Sequence, residues 1–160
     1  MLAALEALVK LESPTEDLQA CQDVIKLASD LATKVLGTPA EIRDVNGRPV
    51  FWWGANNPEV VVLAHLDTVW PKGSFTPLWK VEGTKATGPG IFDMKAGFIQ
   101  ALYAMKGITG SVALVATTDE ETGSATSKEF IKQISAQSKA VLVVEASLDG
   151  MVKTARKGTA

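Results

Sequence analysis

The sequence contains one cysteine, Cys21, and one histidine, His65. A lone cysteine cannot close an internal disulfide, so the fold must rest on non-covalent packing. Cys21 lies within a helix-like pattern and is expected as a small buried hydrophobe. Neither sign of charge is in excess: 16 basic against 18 acidic residues leave a formal net charge of −2, with Lys and Arg scattered along the chain. That balance excludes the electrostatic footprint of a nucleic-acid or anionic-membrane binder, so neither partner is expected. No uninterrupted apolar run approaches the roughly 18 residues that a membrane helix needs. Residues 1–10 are apolar, but Glu6 interrupts them and no cationic stretch comes first. They do not read as a signal peptide, and a cytoplasmic protein is expected.

What is present suits one globular domain. The 160 residues are 46% hydrophobic and 21% charged, enough apolar side chain for a single core. Residues 1–11 look like a short amphipathic helix, ended by Ser13-Pro14. Thr15-Glu16-Asp17 then offers N-cap chemistry for a second helix over about 16–36. Its apolar positions, from Leu18 through Cys21, Val24, Ile25, Ala28 and Leu31 to Val35, recur at three- and four-residue steps before Gly37. Asn46-Gly47, between alternating segments, predicts a hairpin at a sheet edge. Three apolar runs follow at 60–64, 112–116 and 140–144, each the length of a strand buried on both faces, with helix-like stretches at 93–106 and 125–135 between them. Strand, helix, strand, helix, strand predicts an α/β sheet with a largely parallel core and helical crossovers.

Ligands of such sheets gather at the carboxyl ends of the strands, and polar residues stand at all three ends. The first run enters His65-Leu66-Asp67, the second Thr117-Thr118-Asp119-Glu120-Glu121, the third Glu145. Taken alone, each has a plainer explanation: a structural histidine, an N-cap at Asp93, a solvated acidic loop. Together they point further. In extended chain, Asp67 shares a face with His65 and can accept the ring's second N–H, fixing its tautomer for metal ligation. Gly88-Pro89-Gly90 is turn material that delivers Asp93 at a helix start. Glu120 and Glu121 would point apart in a strand, so both can serve one site only if the chain turns at Thr122-Gly123-Ser124. Adjacent carboxylates can then divide the work, one binding metal and one moving protons. Glu145 follows a buried run and needs a partner such as a metal. The set suits two divalent ions sharing a carboxylate.

These motifs resemble the dinuclear-zinc metallopeptidases typified by glutamate carboxypeptidase, acetylornithine deacetylase and succinyl-diaminopimelate desuccinylase. The resemblance is carried by His65-Leu66-Asp67-Thr68-Val69, by Gly88-Pro89-Gly90 with Asp93, Lys95 and Gly97, by Asp119-Glu120-Glu121 with Gly123-Ser124, and by Glu145. It implies a three-layer α/β sandwich with a mostly parallel mixed sheet. It implies that His65 and Glu145 bind one zinc, Glu121 binds the other, and Asp93 bridges them. Asp67 would orient His65, and Glu120 would be the general base. A cis peptide at Asp93-Met94 is also implied. The expected activity is hydrolysis of amide or peptide bonds in a small peptide or N-acyl amino acid. An exopeptidase releasing a C-terminal amino acid is favoured over a deacylase, with a non-catalytic metal-binding remnant as the rival from another class.

The sequence departs from that pattern in lacking a second histidine. The family has a late histidine ligand and an inserted lid domain through which homodimers would form. Residues 1–154 are expected as the N-terminal part of the catalytic domain, and residues 155–160 as the start of the connection to the lid. Of the two zinc ions of a complete enzyme, one is expected to be retained here, with impaired activity. Trp52, Trp53 and Trp79 are expected in packing roles, with Trp70 the candidate for substrate stacking.

Overall fold

The computed structural model describes residues 1–147 and 149–154. Residues 155–160, the expected connection to a lid, lie outside the described residues. Helix α1 runs Leu2–Lys10 and α2 runs Leu18–Leu36. The Asp17 side chain accepts from the Ala20 N–H at 2.9 Å, satisfying one of the donors a helix start leaves unpaired. Gly37 closes α2 in the left-handed region at φ 85°, open to glycine without steric cost.

Strands β1 (Glu41–Val45) and β2 (Arg48–Gly54) form the hairpin that Asn46-Gly47 predicts. Then come β3 (Val60–His65), a small separate hairpin of β4 (Lys80–Glu82) and β5 (Lys85–Thr87), helix α3 (Ala96–Ala104), β6 (Val112–Thr117), helix α4 (Lys128–Gln137) and β7 (Ala140–Val143). The five-stranded sheet has the order β1-β2-β6-β3-β7. The hairpin joins it antiparallel through β2 and β6, while β3 pairs parallel with both β6 and β7. This is a mixed sheet with a parallel core, as the sequence pattern predicts.

Alternation along the strands feeds two cores. Phe51, Val62, Ala64, Leu114 and Ala116 face α1, α2 and α3, where Leu8, Ile25, Ala28, Phe98 and Leu102 are buried. Val50, Trp52, Val61, Ala113 and Val115 face the other way, against Ile134 and Phe130 of α4. The layers are therefore helices, sheet, helix. Fully burying one Leu, Val or Phe side chain is worth about 1.5–3 kcal/mol. The central strand β6, buried from Ala113 to Thr117, is the best-packed element of the sheet.

One strand departs from expectation. β7 is an edge strand with Leu142 and Val143 more than half exposed, at 56% and 55%, and is not buried on both faces. Glu145 accordingly does not emerge from a buried run. Helix α3 also starts later than position 93. A π-helical turn over Ile91–Lys95 precedes it, with the Asp93-Met94 peptide cis and the Lys95 N–H reaching the Gly90 carbonyl at 2.9 Å.

Cys21 is fully buried. Burial first, and the nearby Asp67 charge second, push its thiol up to about 11 against the opposing pull of Arg48. Thiolate is the reactive form, so native protein at pH 8 should consume a thiol reagent at least about tenfold more slowly than urea-unfolded protein. Equal rates would mean that the α2 packing described here does not hold.

Candidate metal centre

Parallel pairing brings the ends of β3, β6 and β7 to one edge of the sheet. His65 is the last residue of β3 and lies opposite Thr117 of β6. It is 1% exposed. Its two ring nitrogens meet different surroundings. Nδ1 lies 3.2 Å from the Asp67 carbonyl oxygen and 3.3 Å from Asp67 Oδ1. Nε2 faces Asp93 Oδ1 at 3.1 Å, Glu145 Oε1 at 3.4 Å and Glu120 Oε2 at 3.8 Å. The ring thus stands between Asp67 behind it and three carboxylates in front.

Ligand atoms of His65, Asp93 and Glu145 all lie within 4.8 Å of one another. One imidazole nitrogen and two carboxylate oxygens at that spacing form a donor set suited to zinc. The charge of the site argues the same way. Burial alone would lower the His65 pKa, but the hydrogen bonds of Asp67 and Glu145 and the charges of Asp67 and Glu120 outweigh it and raise it to about 11. Burial raises Glu120, and the charges of Glu145, Asp67 and Asp93 add to this against His65. Glu121 is raised by burial first and then by Asp93. The residues present fit a metal ion.

Each carboxylate is delivered by a local device. Asp93 sits inside the π-helical turn with non-helical backbone and caps no helix; its side chain is 57% exposed towards the site. The turn is tied down by the two residues that follow Asp93. The His65 N–H points to Met94 Sδ at 3.2 Å, and the fully buried Lys95 sends Nζ to the Leu8 and Leu11 carbonyls at the end of α1, at 2.9 and 3.3 Å. Desolvation holds that ammonium down at about 8.

Glu120 and Glu121 lie in a single 3-10 turn, Glu120–Thr122, so the chain does bend where both acids need it to. Gly123 and Ser124 follow at positive φ. The turn is held from below by Asp119, which accepts from the backbone N–H and hydroxyl of both Thr126 and Ser127 at 2.6–3.0 Å. Burial alone would raise Asp119, but those hydrogen bonds win and hold it below the usual carboxylate range. Glu145 follows β7, where Val144 N–H continues the ladder to the Leu63 carbonyl at 3.0 Å.

All six candidate residues therefore meet at one edge: His65, Asp67, Asp93, Glu120 and Glu145 by direct contact, and Glu121 through its backbone N–H, which donates to Asp67 Oδ2. Trp70, the stacking candidate, is 44% exposed and packs edge-on to Phe75 at 5.0 Å. Sequence reasoning missed Arg48 altogether, cited Thr15 only for N-cap chemistry, and cited Lys95, Gly97 and Asp119 only as parts of motifs.

Residues 61–155 match the model of Peptidase family M20/M25/M40, more than half of the chain, and the chain belongs to that family. Over 88 residues it is 35% identical to carboxypeptidase G2 of Pseudomonas sp. (strain RS-16), an alignment covering 50% of this chain and 21% of that protein. The fold is that of the M20 family metallo-carboxypeptidase Sso-CP2 of Sulfolobus solfataricus, with a TM-score of 0.74 at 21% identity, covering 92% of this chain and 37% of that one. It is also that of human carnosine dipeptidase 1, with a TM-score of 0.70 at 18% identity, covering 89% and 37%. The chain thus spans well under half the length of these relatives. No helix among the described residues is long and apolar enough to cross a membrane.

Gly97, in the first turn of α3, explains how Glu145 is placed. A Cβ added there would overlap the Val144 carbonyl oxygen, a backbone atom one residue before Glu145. Glycine lets α3 pack directly on the segment carrying that carboxylate. Gly97→Ala should cost about 1–3 kcal/mol of stability, an overpacking effect, and weaken zinc binding in the fraction that remains folded. Thermal melts alongside a zinc titration check both; a destabilised chain that binds zinc normally would show that Glu145 is placed by something else.

Proposed function

We propose that this chain supplies the metal-binding half of a zinc-dependent hydrolase of amide or peptide bonds, with carboxypeptidase-like release of a C-terminal amino acid as the favoured reaction. The observation that carries the proposal is the convergence of His65, Asp93 and Glu145 donor atoms within 4.8 Å beside a carboxyl group, Glu120, whose pKa is raised. The identity with carboxypeptidase G2 supports the choice of reaction.

His65, through Nε2, and Glu145 would hold one zinc, Glu121 the other, and Asp93 would be shared. Bound zinc would supply Lewis acidity, polarising the scissile carbonyl and making water more acidic. The chain's own residues do the rest. Asp67 keeps the proton on Nδ1, so that Nε2 presents its lone pair. Glu120, 3.8 Å from Nε2 through Oε2, takes a proton from the attacking water and passes it to the leaving nitrogen. A carboxylate so placed can accept the water proton and, once protonated, donate it. Residues 1–154 serve as the catalytic-domain part of the enzyme, acting on a small peptide or N-acyl amino acid.

Two measurements test this. Calorimetric zinc titration of the chain should show one ion bound more tightly than any second, because His65, Asp93 and Glu145 supply three protein ligands whereas Asp93 and Glu121 supply two. His65→Ala should abolish the tight phase; its persistence would remove His65 from the centre. Separately, Glu120→Gln should leave zinc content unchanged and lower any hydrolysis of an N-acyl-glutamate by at least about 100-fold, the usual contribution of a positioned acid-base group. Loss of zinc instead would reverse the roles given to the adjacent glutamates.

A further inference from the structure

The segment Ser13-Pro14-Thr15 precedes α2 and lies some fifty residues from the His65 motif in sequence, yet runs along it as a short added strand. The Thr68 N–H donates to the Ser13 carbonyl at 2.9 Å and the Thr15 N–H to the Thr68 carbonyl at 3.1 Å, with a parallel bridge between Pro14 and Thr68. The Ser13 hydroxyl donates to the Leu66 carbonyl at 2.6 Å. Arg48 fixes the segment from the other side, its Nη1 reaching the Thr15 carbonyl at 2.6 Å and the Thr118 carbonyl at 3.0 Å. Thr15 is 3% exposed and held at both of its backbone groups.

Its side chain has one proton to give and two acceptors in range. Asp67 Oδ2 is at 2.8 Å and the Thr68 carbonyl at 3.4 Å, so the shorter, charge-assisted bond to Asp67 takes it. Asp67 is fully buried, and Oδ2 has one other donor, the Glu121 N–H at 3.2 Å. Oδ1 on the same carboxyl lies 3.3 Å from His65 Nδ1. A carboxyl group gripped at one oxygen by a rigid hydroxyl cannot rotate, and the other oxygen stays behind the imidazole.

We infer that Thr15 is a positioning residue of the metal centre: its hydroxyl locks the Asp67 carboxylate, which in turn sets the His65 ring and the backbone entry to Glu121. The inference rests on the metal-centre assignment above. It goes beyond that assignment by placing control of both metal positions in a segment that contributes no ligand. Ser13 and Arg48 hold the backbone; of these three residues, Thr15 is the one whose side chain touches the carboxylate.

The test compares Thr15→Val, which removes the hydroxyl and keeps the shape, with Thr15→Ser, which keeps the hydroxyl. His65 is the only histidine in the chain, so one set of imidazole ¹⁵N resonances reports it without ambiguity. In the metal-free chain, Thr15→Val should shift the His65 Nδ1 resonance, and Thr15→Ser should restore it. Zinc affinity, measured by competition with a chromophoric chelator, should fall about 10- to 100-fold in the valine variant, the range seen when a partner behind a metal ligand is lost, and recover in the serine variant. A folded Thr15→Val chain with unchanged resonances and unchanged zinc affinity would overturn the inference, since a hydroxyl that only stabilises the fold moves neither. If the valine variant does not fold, Thr15→Ala poses the same question with a smaller side chain, and its folded fraction is read in the same way. A wild-type chain that binds no zinc would overturn the metal-centre assignment; the metal-free ¹⁵N comparison would still decide the link from Thr15 to His65.

Discussion

Carboxylates crowd a single imidazole at the carboxyl edge of this sheet, and that surplus of negative charge is the constraint from which the rest of the site follows. Asp93, Glu145 and Glu120 stand 3.1–3.8 Å from one ring nitrogen and Asp67 lies behind the other. Like charges at such separations repel by amounts that grow as water is excluded, and only a cation among them reverses the sign. The donor atoms of His65, Asp93 and Glu145 lie close enough together to hold a metal ion, and the segments that present them are fixed by the surrounding protein.

That fixing is spread over the fold. Lys95 anchors the turn carrying Asp93 to the end of α1; Asp119 ties down the turn of Glu120 and Glu121; Arg48 joins the segment before α2 to the end of β6. Lys95 and Arg48 are satisfied by main-chain carbonyls, and Asp119 by main-chain N–H groups and the hydroxyls of Thr126 and Ser127, arrangements that make a charge out of water tolerable. Their common effect is to convert flexible loop ends into fixed platforms. The parallel pairing of β3 with β6 and β7 then aligns those platforms, because parallel strands deliver all their carboxyl ends to one side.

Much of this was legible before the structure. The hairpin at Asn46-Gly47, the helical stripe from Leu18 to Val35 and the three apolar runs give the element order, since turn chemistry and hydrophobic period are local properties of a sequence. The bend at Glu120-Glu121 was inferable because adjacent carboxylates cannot share a strand face. The exposure of β7 was not. A run of four apolar residues looks the same whether strands flank it on one side or two, and only the order β1-β2-β6-β3-β7 shows that Leu142 and Val143 sit at an edge. The hairpin's partner was likewise invisible: nothing in β2 announces that it pairs antiparallel with β6, fifty-odd residues later.

By itself the sequence determined which residue types stand at the ends of the strands, and hence the chemistry available: one imidazole, several carboxylates, a glycine-rich turn. Those choices are written residue by residue because ligand chemistry resides in single side chains. The tertiary structure alone decided which ring nitrogen of His65 faces the carboxylates, why Gly97 must lack a side chain beneath Val144, and that Thr15 reaches Asp67. Such contacts join positions from 28 to 80 residues apart, and separations of that size leave no periodic or local trace for a sequence to display. They exist only once the sheet has set the spacing between elements that the chain itself keeps far apart.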